Sequence, residues 1–410
     1  MAAQGFYKAV GYVILAVLSR SLSKEAFGQF FYAAALAGLW IQIADLGTYS
    51  FLIREVSSRP AQKRHAFAHV LSLRLPLVAL YVFMVSCIAL VLKRDIFLIV
   101  VLTAFYMGFR ELYQTAAALF MGTRRIRLSV IAFGSSQILL LLLVFWLASH
   151  GADIYQILGA YLASYAYLAV VGAFLVHRMI GRPRLTINLQ TLIPVVRRSL
   201  PFSLLALLQL AHFRIDTLML GAWRPYTEVA NYEAAARLLA ASQFVIYPFS
   251  SVFFPICSRL AATADWLGLE KLYKRLLNRA LAAGVAATAA VLMLAGIALP
   301  FVYGPDYADA VPLLRVLYLT VPSLYAGAVS VFVINAMHLE KRGVTVMAVG
   351  LGANVALNAA LIPAFGAIGA AWTTVVTQTL TAGLLWMQNR AVLRRRSASA
   401  SVRRESDAKS

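Results

Sequence analysis

Long apolar blocks, separated by short polar segments, run through this chain from end to end. Most blocks approach or exceed the ~20 residues that an α-helix needs to cross ~30 Å of hydrocarbon. The blocks cover residues 9–19, 27–52, 75–92, 96–121, 128–148, 154–176, 200–222, 229–257, 280–302, 311–337, 343–362 and 367–388. The pattern predicts twelve transmembrane helices.

The distribution of basic residues gives these helices a direction. The net charge of +21 would suit nucleic-acid binding, but Lys and Arg cluster in alternate loops, as the positive-inside rule requires of a membrane protein. The basic segments lie at residues 54–74, 124–127, 178–198, 259–279, 341–342 and 390–409. We therefore expect both termini in the cytoplasm, which an even number of spans also requires. The same loops are expected to bind anionic lipid headgroups.

The amino-acid composition limits the kinds of functional site that this protein can contain. Hydrophobic residues make up 61% of 410 residues, and charged residues make up 13%. Cys87 and Cys257 fall inside or at the end of apolar blocks, so we predict two free thiols and neither a disulfide framework nor a metal site. The sequence has no G-x-x-x-x-G-K-[ST] loop and no segment large enough for a nucleotide-binding domain.

An amphipathic segment near the middle of the chain, residues 185–198, divides it into two sets of six spans. Residues 185–198 and 266–279 mix apolar with basic residues, as interfacial helices do. A weak internal repeat supports the division, because Glu25-Ala26-Phe27-Gly28 opens the second span and Glu228-Val229-Ala230-Asn231 opens the eighth. We predict an N-terminal lobe over 1–184, a C-terminal lobe over 185–389 that opens with an amphipathic linker over 185–199, and a basic disordered tail over 390–410.

Charged side chains inside the apolar blocks are the candidates for chemistry, because a charge at the centre of a span costs roughly 3 kcal/mol on the most lenient scale. His212 and Asp216 stand one helical turn apart, which is more often a hydrogen bond than a proton relay. Glu233 and Arg237 have i, i+4 spacing, and an intrahelical ion pair is at least as good an interpretation as a transport role.

Two arginines are harder to explain as structural residues. Arg110, which is followed by Glu111, and Arg214 each lie ~20 Å along their predicted helices. Arg54 lies at the predicted cytoplasmic boundary, where it can extend to the headgroups. Asp45 shares a helical face with nearby polar side chains.

Short motifs match a known family in order and spacing. They are Phe27-Gly28, Asp45-Leu46-Gly47, Arg54-Glu55, Pro201, Asp216, Tyr232-Glu233-Ala234-Ala235, Tyr303-Gly304-Pro305-Asp306 and Leu361-Ile362-Pro363-Ala364-Phe365-Gly366. The chain resembles the bacterial polysaccharide transporters, the oligosaccharide (O-antigen type) flippases of the multidrug/oligosaccharidyl-lipid/polysaccharide exporter superfamily. The last motif resembles the hairpin that joins the final two helices of these proteins.

The resemblance implies an all-α integral membrane protein with twelve transmembrane helices in two six-helix lobes around a central cavity, similar to multidrug-and-toxin extruders. It implies a flippase of the bacterial inner membrane that moves undecaprenyl-diphosphate-linked oligosaccharide from the cytoplasmic to the periplasmic leaflet by alternating access. The expected partners are that glycan, membrane lipids, and polymerase and chain-length proteins of the same pathway. Only about fourteen residues precede Ser19-Arg20 as a first helix, so we expect a misplaced start codon.

Within this interpretation, arginines hold the diphosphate, because guanidinium binds phosphate oxygens in a bidentate manner and keeps its charge. The expected diphosphate-binding residues are Arg54, Arg110, Arg214, Arg237 and Arg315. The candidates for coupling to an ion are Asp216, His212, Glu111 and Asp45. The expected glycan contacts are Asn354, Asn358, Gln378, Tyr161 and Tyr165, for which ordinary interhelical hydrogen bonding and packing is the alternative.

Other classes of function stay open. A drug/cation antiporter of the same fold would want acidic charge in its cavity, whereas arginines exceed acids deep in these helices. A glycosyltransferase or polymerase would carry its catalytic residues in a large loop, and no predicted periplasmic loop exceeds about a dozen residues. We therefore expect a transporter rather than an enzyme, without a cofactor or nucleic-acid partner. We expect transport to be passive, to be driven by the membrane potential, or to be coupled to an ion.

Overall fold

A computed structural model describes residues 2–183, 185, 207, 210–212, 214–243 and 246–407, and all regular secondary structure in these residues is helical. The helices are α1 (Ala2–Ser21), α2 (Lys24–Trp40), α3 (Gln42–Asp45), α4 (Thr48–Ser58), α5 (Lys63–Leu92), α6 (Phe97–Gly122), α7 (Ile126–Ser149), α8 (Ile154–Ile180), α9 (214–223), α10 (Tyr226–Ser242), α11 (Ile246–Ala262), α12 (Trp266–Tyr303), α13 (Val311–Tyr318), α14 (Val321–Ala336) and α15 (Glu340–Asp407). Short 3₁₀ segments lie at Pro60–Gln62, Arg94–Ile96 and Pro305–Ala310.

Several helices are long enough to cross a membrane. Within the described ranges, seven helical segments are long and apolar enough, or eight if the bent pair Pro305–Tyr318 and Val321–Ala336 forms one span. The predicted seventh span, residues 200–222, lies largely outside those ranges. The predicted number of twelve therefore stays a prediction.

The last two predicted spans form a helical hairpin within α15. A straight helix of 68 residues would be ~100 Å long. Instead, Gly366 breaks the helix with φ 60° and ψ −139°, and Asn354 Nδ2 lies 3.5 Å from Thr377 Oγ1 although 23 residues separate them. At Gly369, a Cβ would collide with the backbone carbonyl of Leu361, so only glycine fits there. The predicted hairpin is confirmed.

Three helices extend beyond the predicted apolar blocks. Helix α5 begins at Lys63 and not at residue 75, so Arg74 is inside a helix and not in a loop. Residues 266–279, predicted to form an interfacial helix, are the first turns of α12. Residues 390–407, predicted to be disordered, continue α15. The apolar blocks end at the first charges, whereas the helices continue because Lys, Arg and Glu are good helix formers.

The chain divides into two compact units. The first consists of Met1–Gly221 and Pro225–Ala230, and the second of Ala222–Arg224 and Asn231–Ser410. Nearly all of helix α9 thus groups with the first unit. The predicted lobe boundary after residue 184 borders residues outside the described ranges and stays a prediction.

Helix α6 lies at the centre of the first unit. It packs against α2, α4, α5 and α8. The buried apolar core there includes Leu52 of α4, Val70 of α5, Leu119 and Phe120 of α6, and Leu168 of α8. Because α6 is surrounded by helices, polar side chains on its inner faces are held in fixed positions.

In the second unit, α14 packs against α11, α12 and α15. Ile334, Val346 and Leu385 form a buried apolar cluster between α14 and the two arms of α15. Polar contacts support it, since Asn389 Nδ2 donates to the Ser330 carbonyl oxygen at 2.9 Å and the hydroxyls of Tyr273 and Ser330 are 2.9 Å apart.

Large apolar side chains cover the outer faces of the long helices. Phe83 and Val91 of α5, Phe145 of α7, and Ile297 and Phe301 of α12 are all at least 65% exposed. Apolar faces of this kind suit contact with the hydrocarbon of a membrane, where no water is available to solvate polar groups.

Candidate functional site

Arg110 lies near the middle of the candidate span Arg94–Gly122, ~18 Å from its end at Gly122. Its side chain is exposed. On the same helix, Phe105 and Phe109 line an apolar groove of about 460 Å³ between α5 and α6. At ~100° per residue, Arg110 is ~140° around the helix from Phe105. The guanidinium therefore lies on a different face from the groove.

Tyrosines surround the face of α6 that carries Arg110. The rings of Tyr106 and Tyr165 are stacked, with centroids 5.6 Å apart and planes at 19°. The Tyr161 ring lies 5.2 Å from that of Tyr106 and 5.4 Å from that of Phe30. Tyr106 precedes Arg110 by one helical turn and therefore lies on the same face of α6. We call Arg110, Tyr106, Tyr161 and Tyr165 the Arg110–tyrosine cluster.

A fully buried arginine that the sequence analysis missed lies beside this cluster. Arg74 Nη1 donates to the Glu111 carbonyl oxygen at 3.0 Å and to Thr115 Oγ1 at 3.2 Å. Its Nη2 donates to Thr48 Oγ1 at 2.9 Å and is ion-paired with the Asp45 carboxylate. Arg74 was missed because it precedes an apolar block. The sequence did contain a sign of Arg74, because Asp45 is a carboxylate within a predicted span and such a group needs a partner of opposite charge.

Asp45 lies where α3 breaks before α4. Leu46 and Gly47 both have left-handed backbone conformations, with φ 43° and 73°. The Asp45 carboxylate accepts hydrogen bonds from the backbone N–H groups of Gly47 at 3.1 Å and Tyr49 at 3.0 Å. It thereby satisfies donors that the start of a helix leaves unpaired. Arg74 thus joins the Asp45 carboxylate to the backbone of α6 at Glu111.

Helix α9 and the residues just before it carry the other candidates of the first unit. Asp216 is buried, and His212 and Arg214 are half-buried. Each of the three has an interaction partner. A Cβ at position 38 would lie 3.7 Å from Arg214 Nε, so the Arg214 side chain lies over Gly38 of α2.

The remaining arginines differ in their surroundings. Arg237 Nε is 3.2 Å from Glu233 Oε2, which confirms the predicted intrahelical ion pair. Arg315 on α13 and Arg54 on α4 are exposed. Arg237 and Arg315 belong to the second unit, whereas Arg54 belongs to the first.

The asparagines of α15 are buried. Asn354 is 2% exposed and Asn358 is 0% exposed. Asn358 Nδ2 donates to Asn354 Oδ1 at 2.9 Å, and Asn354 contacts the opposite arm of the hairpin through Thr377. This geometry favours interhelical hydrogen bonding over glycan contact. Gln378 is half-buried.

The structure therefore packs Tyr161 and Tyr165 against Tyr106, on the face of α6 that carries Arg110. Arg74 links Asp45 to the backbone of Glu111. Cys87 and Cys257 are free thiols, as predicted. Among the residues that the structure describes, no group of His, Cys, Asp and Glu is placed to hold a metal ion. The Arg110–tyrosine cluster combines a permanent cation with aromatic faces, which suits a ligand that carries both phosphate and sugar.

The fold matches transporters of the MOP superfamily. A multidrug resistance MATE family transporter in an inward-facing conformation has a TM-score of 0.76 and 15% identity, over 96% of both chains. The lipid II flippase MurJ in an inward closed conformation has a TM-score of 0.74 and 13% identity, over 95% of this chain and 87% of MurJ. A MOP superfamily transporter from Pyrococcus furiosus has a TM-score of 0.63 and 14% identity, over 97% and 93% of the two chains.

Sequence comparison identifies the family. The sequence model described as "Polysaccharide biosynthesis protein" matches residues 1–261. A Haloferax volcanii protein named "Probable flippase AglR" is 34% identical over 176 residues. That match covers 40% of this chain and 35% of the relative, so the chain spans about a third of the relative's length.

This chain belongs to the polysaccharide biosynthesis protein family. Its fold is that of the MATE and MurJ membrane transporters, and its long apolar helices are those of a multi-pass integral membrane protein. This agrees with the resemblance that the sequence motifs carry.

Proposed function

We propose that this protein is a flippase that moves an undecaprenyl-diphosphate-linked oligosaccharide from the cytoplasmic to the periplasmic leaflet, by alternating access between two six-helix lobes. The observation that supports this most is the Arg110–tyrosine cluster, in which an arginine near mid-span lies one helical turn after Tyr106, whose ring packs against those of Tyr161 and Tyr165. A lipid-linked glycan presents the matching chemistry, because its head carries phosphates next to sugars.

The physical requirement is to carry an anionic head through a region without water. Guanidinium keeps its charge there and binds phosphate oxygens through two parallel hydrogen bonds. Arg110 takes this role at mid-span, and Arg214 over Gly38 supplies a second guanidinium on the first unit. Arg54, Arg237 and Arg315 are further positions along the proposed path. Tyr161 and Tyr165 present aromatic faces to the sugars.

Coupling to an ion is proposed at the acids of the first unit. Asp45 is ion-paired with the buried Arg74, which also donates to the Glu111 backbone carbonyl, so a change of charge at Asp45 alters the charge balance beside Glu111. Asp216, which is buried, with His212 one helical turn away is the other candidate.

The proposed location is a bacterial inner membrane with both termini in the cytoplasm. The positive-inside pattern supports it, and so does the structure of the basic ends. Arg64 Nη2 at the start of α5 donates to the Arg182 carbonyl oxygen after α8 at 2.8 Å, so these two basic loops lie on one side. Polymerase and chain-length proteins of the same pathway are the proposed protein partners.

Complementation tests the function. The gene is expressed in a strain that lacks its own oligosaccharide flippase, and surface glycan and cytoplasm-facing lipid-linked precursor are measured together. The proposal requires that surface glycan returns and that the precursor falls. The drug/cation antiporter alternative requires instead that the gene leaves the precursor unchanged and raises resistance to cationic toxic compounds. An Arg110→Ala variant, expressed at the same abundance as the wild-type protein, tests whether the restored transport depends on the Arg110–tyrosine cluster.

A further inference from the structure

A basic pocket lies at one end of the first unit, away from the Arg110–tyrosine cluster. It has a volume of about 450 Å³ and is formed where α4 and α6 end and α5 begins. Its lining residues are Ser57, Pro60, Lys63, Gly122, Thr123, Arg124 and Arg125. We call it the Arg124 pocket.

The pocket has an excess of positive charge. Lys63, Arg124 and Arg125 line it, and no acidic residue does. Among the described residues, these three cations take part in no ion pair. Glu55 lies nearby in sequence, but it is already paired with Arg59 at 3.3 Å. The three cations are therefore available to an anion.

The backbone holds the two arginines in place. Arg124 has a left-handed conformation with φ 58°, and its N–H donates to the Met121 carbonyl oxygen at 3.0 Å. The Arg125 N–H donates to the Phe120 carbonyl oxygen at 2.8 Å. These bonds close the end of α6 as a C-terminal cap. Cationic side chains at the C-terminal end of a helix are stabilising by themselves, because they lie at the negative end of the helix dipole. That effect does not require the concave pocket opposite the helix end.

The depth of the pocket identifies the kind of anion. The candidate span Arg94–Gly122 ends at the pocket, and the span Pro60–Leu92 begins there. The pocket therefore lies at the level where hydrocarbon gives way to headgroups. Basic pockets at this level between transmembrane helices suit the phosphates of anionic lipids. The Thr123 hydroxyl donates to the Leu119 carbonyl oxygen at 2.7 Å and the Ser57 hydroxyl to the Gly122 carbonyl oxygen at 3.3 Å. These bonds hold the wall of the pocket, and the contacts to phosphate come from the three cations.

We propose that the Arg124 pocket binds the phosphate of an anionic phospholipid headgroup. The site is separate from the transport path and does not depend on the proposed substrate. Lys63, Arg124 and Arg125 supply the charge, and the two spans beside the pocket offer their apolar faces to the acyl chains. Inorganic diphosphate has the same chemistry without the chains, so it is the soluble comparison.

Binding is measured on the full chain in a neutral detergent. Native mass spectrometry counts bound phosphatidylglycerol during a titration, and melting temperature is followed in parallel. The pocket variant is Arg124→Gln/Arg125→Gln. The control variant is Lys341→Gln/Arg342→Gln, which removes two basic charges at the start of α15. Equal melting temperatures without lipid show that all three proteins are folded.

The pocket variant is expected to bind phosphatidylglycerol on the order of tenfold more weakly than wild type, because each basic residue contributes several-fold near an anionic headgroup. The control variant is expected to lose much less binding, because its two charges contribute only the general attraction of a basic loop to anionic headgroups. Equal loss in both variants, or in neither, overturns the proposal, because binding then depends on total charge or on another site. Full saturation by inorganic diphosphate, with no further effect of phosphatidylglycerol, also overturns it, because the occupant is then a soluble anion.

Discussion

Gly28 of α2 lies directly against the backbone carbonyl of Tyr226 at the start of α10, so close that a Cβ at position 28 would collide with that oxygen. Lys93 reinforces this contact. Its Nζ donates to the Gly221 carbonyl oxygen at 2.7 Å and lies 5.2 Å and 5.3 Å from the ring centroids of Tyr32 and Tyr226. The Phe27-Gly28 motif therefore has a physical reason, since only glycine lets the segment between α9 and α10 approach α2.

A hydrogen bond completes the arrangement. The Tyr226 hydroxyl donates to Asp95 Oδ2 at 3.0 Å. Burial, and then this hydrogen bond, raise the pKa of Tyr226 well above its ordinary value of 10.0. Because the phenol stays protonated at physiological pH, it remains a donor to the carboxylate throughout that range.

Substitution of Gly28 tests this packing. Gly28→Ala is expected to destabilise the protein by about 1–3 kcal/mol, because the methyl group forces the Tyr226 backbone away from α2. The measurement is the thermal unfolding midpoint in detergent. Gly11→Ala in α1 is the control, since nothing lies within 4 Å of a Cβ there, and a helix gains up to about 1 kcal/mol from that exchange. Equal midpoints for wild type and Gly28→Ala would contradict the packing.

The Arg74–Asp45 ion pair gives a second prediction. Arg74→Met alone is expected to cost about 3–5 kcal/mol, because it leaves Asp45 unpaired in the membrane. Asp45→Asn combined with Arg74→Met is expected to be more stable than Arg74→Met alone, because no unpaired charge is left. Steady-state abundance and unfolding midpoints of the single and double variants form the double-mutant cycle. Additive effects would show that the two residues act independently.

The sequence predicted the parts of this fold that depend on hydrophobic blocks and glycine. The hairpin at Gly366 was foreseen because the motif from Leu361 to Gly366 lies between two predicted apolar blocks and resembles the hairpin that joins the final two helices of the polysaccharide transporters. The intrahelical pair of Glu233 and Arg237 followed from spacing alone. Such features are local, so a sequence pattern contains them.

Long-range pairing could not be predicted in the same way. Arg74 is separated from Asp45 by 29 residues and from Thr115 by 41, and no periodicity relates positions on different helices. Tyr106 was missed as a site residue for the same reason, although Tyr161 and Tyr165, which it contacts, were selected. The ends of α5, α12 and α15 were misplaced because a charge ends an apolar block without ending a helix.

The buried asparagines of α15 separate a structural from a transport role. Asn358→Ala is expected to lower stability by about 1–2 kcal/mol, because it removes the donor to Asn354 from the hairpin. Gln378→Ala is expected to leave the unfolding midpoint near that of wild type, since this side chain is half-buried. Both variants are compared by thermal unfolding and by glycan transport. Loss of transport in Asn358→Ala with an unchanged midpoint would restore its interpretation as a glycan contact.

Membrane topology gives a fourth prediction. The Arg396 guanidinium lies 4.5 Å from the ring centroid of Trp266, so the end of the second arm of α15 and the start of α12 lie on one side of the membrane. A periplasmic phosphatase fused after Lys341 or Arg396 is expected to be inactive, and one fused after Pro305 is expected to be active, by the positive-inside rule. Activity of the Arg396 fusion would exclude a cytoplasmic C-terminus.

Arg110 is the decisive residue for the proposed transport path. Arg110→Ala is expected to reduce transport on the order of 10- to 100-fold, which corresponds to the ~1.5–3 kcal/mol of hydrogen bonds to a charged group. Arg110→Lys keeps the charge but loses the planar fork, so an intermediate rate is expected. The measurement is accumulation of cytoplasm-facing lipid-linked glycan, with protein abundance determined in the same cells.

The control is Arg127→Ala, which removes an exposed arginine at the start of α7 outside the Arg110–tyrosine cluster. Its transport is expected to match wild type. If Arg110 served only to balance Glu111, Lys would replace it fully and Arg110→Ala/Glu111→Gln would recover transport, because removing both charges leaves none unpaired. If Arg110 binds the diphosphate, the double variant stays impaired, since the substrate's own charge then lacks its partner. Wild-type transport by Arg110→Ala at normal abundance would remove Arg110 from the path.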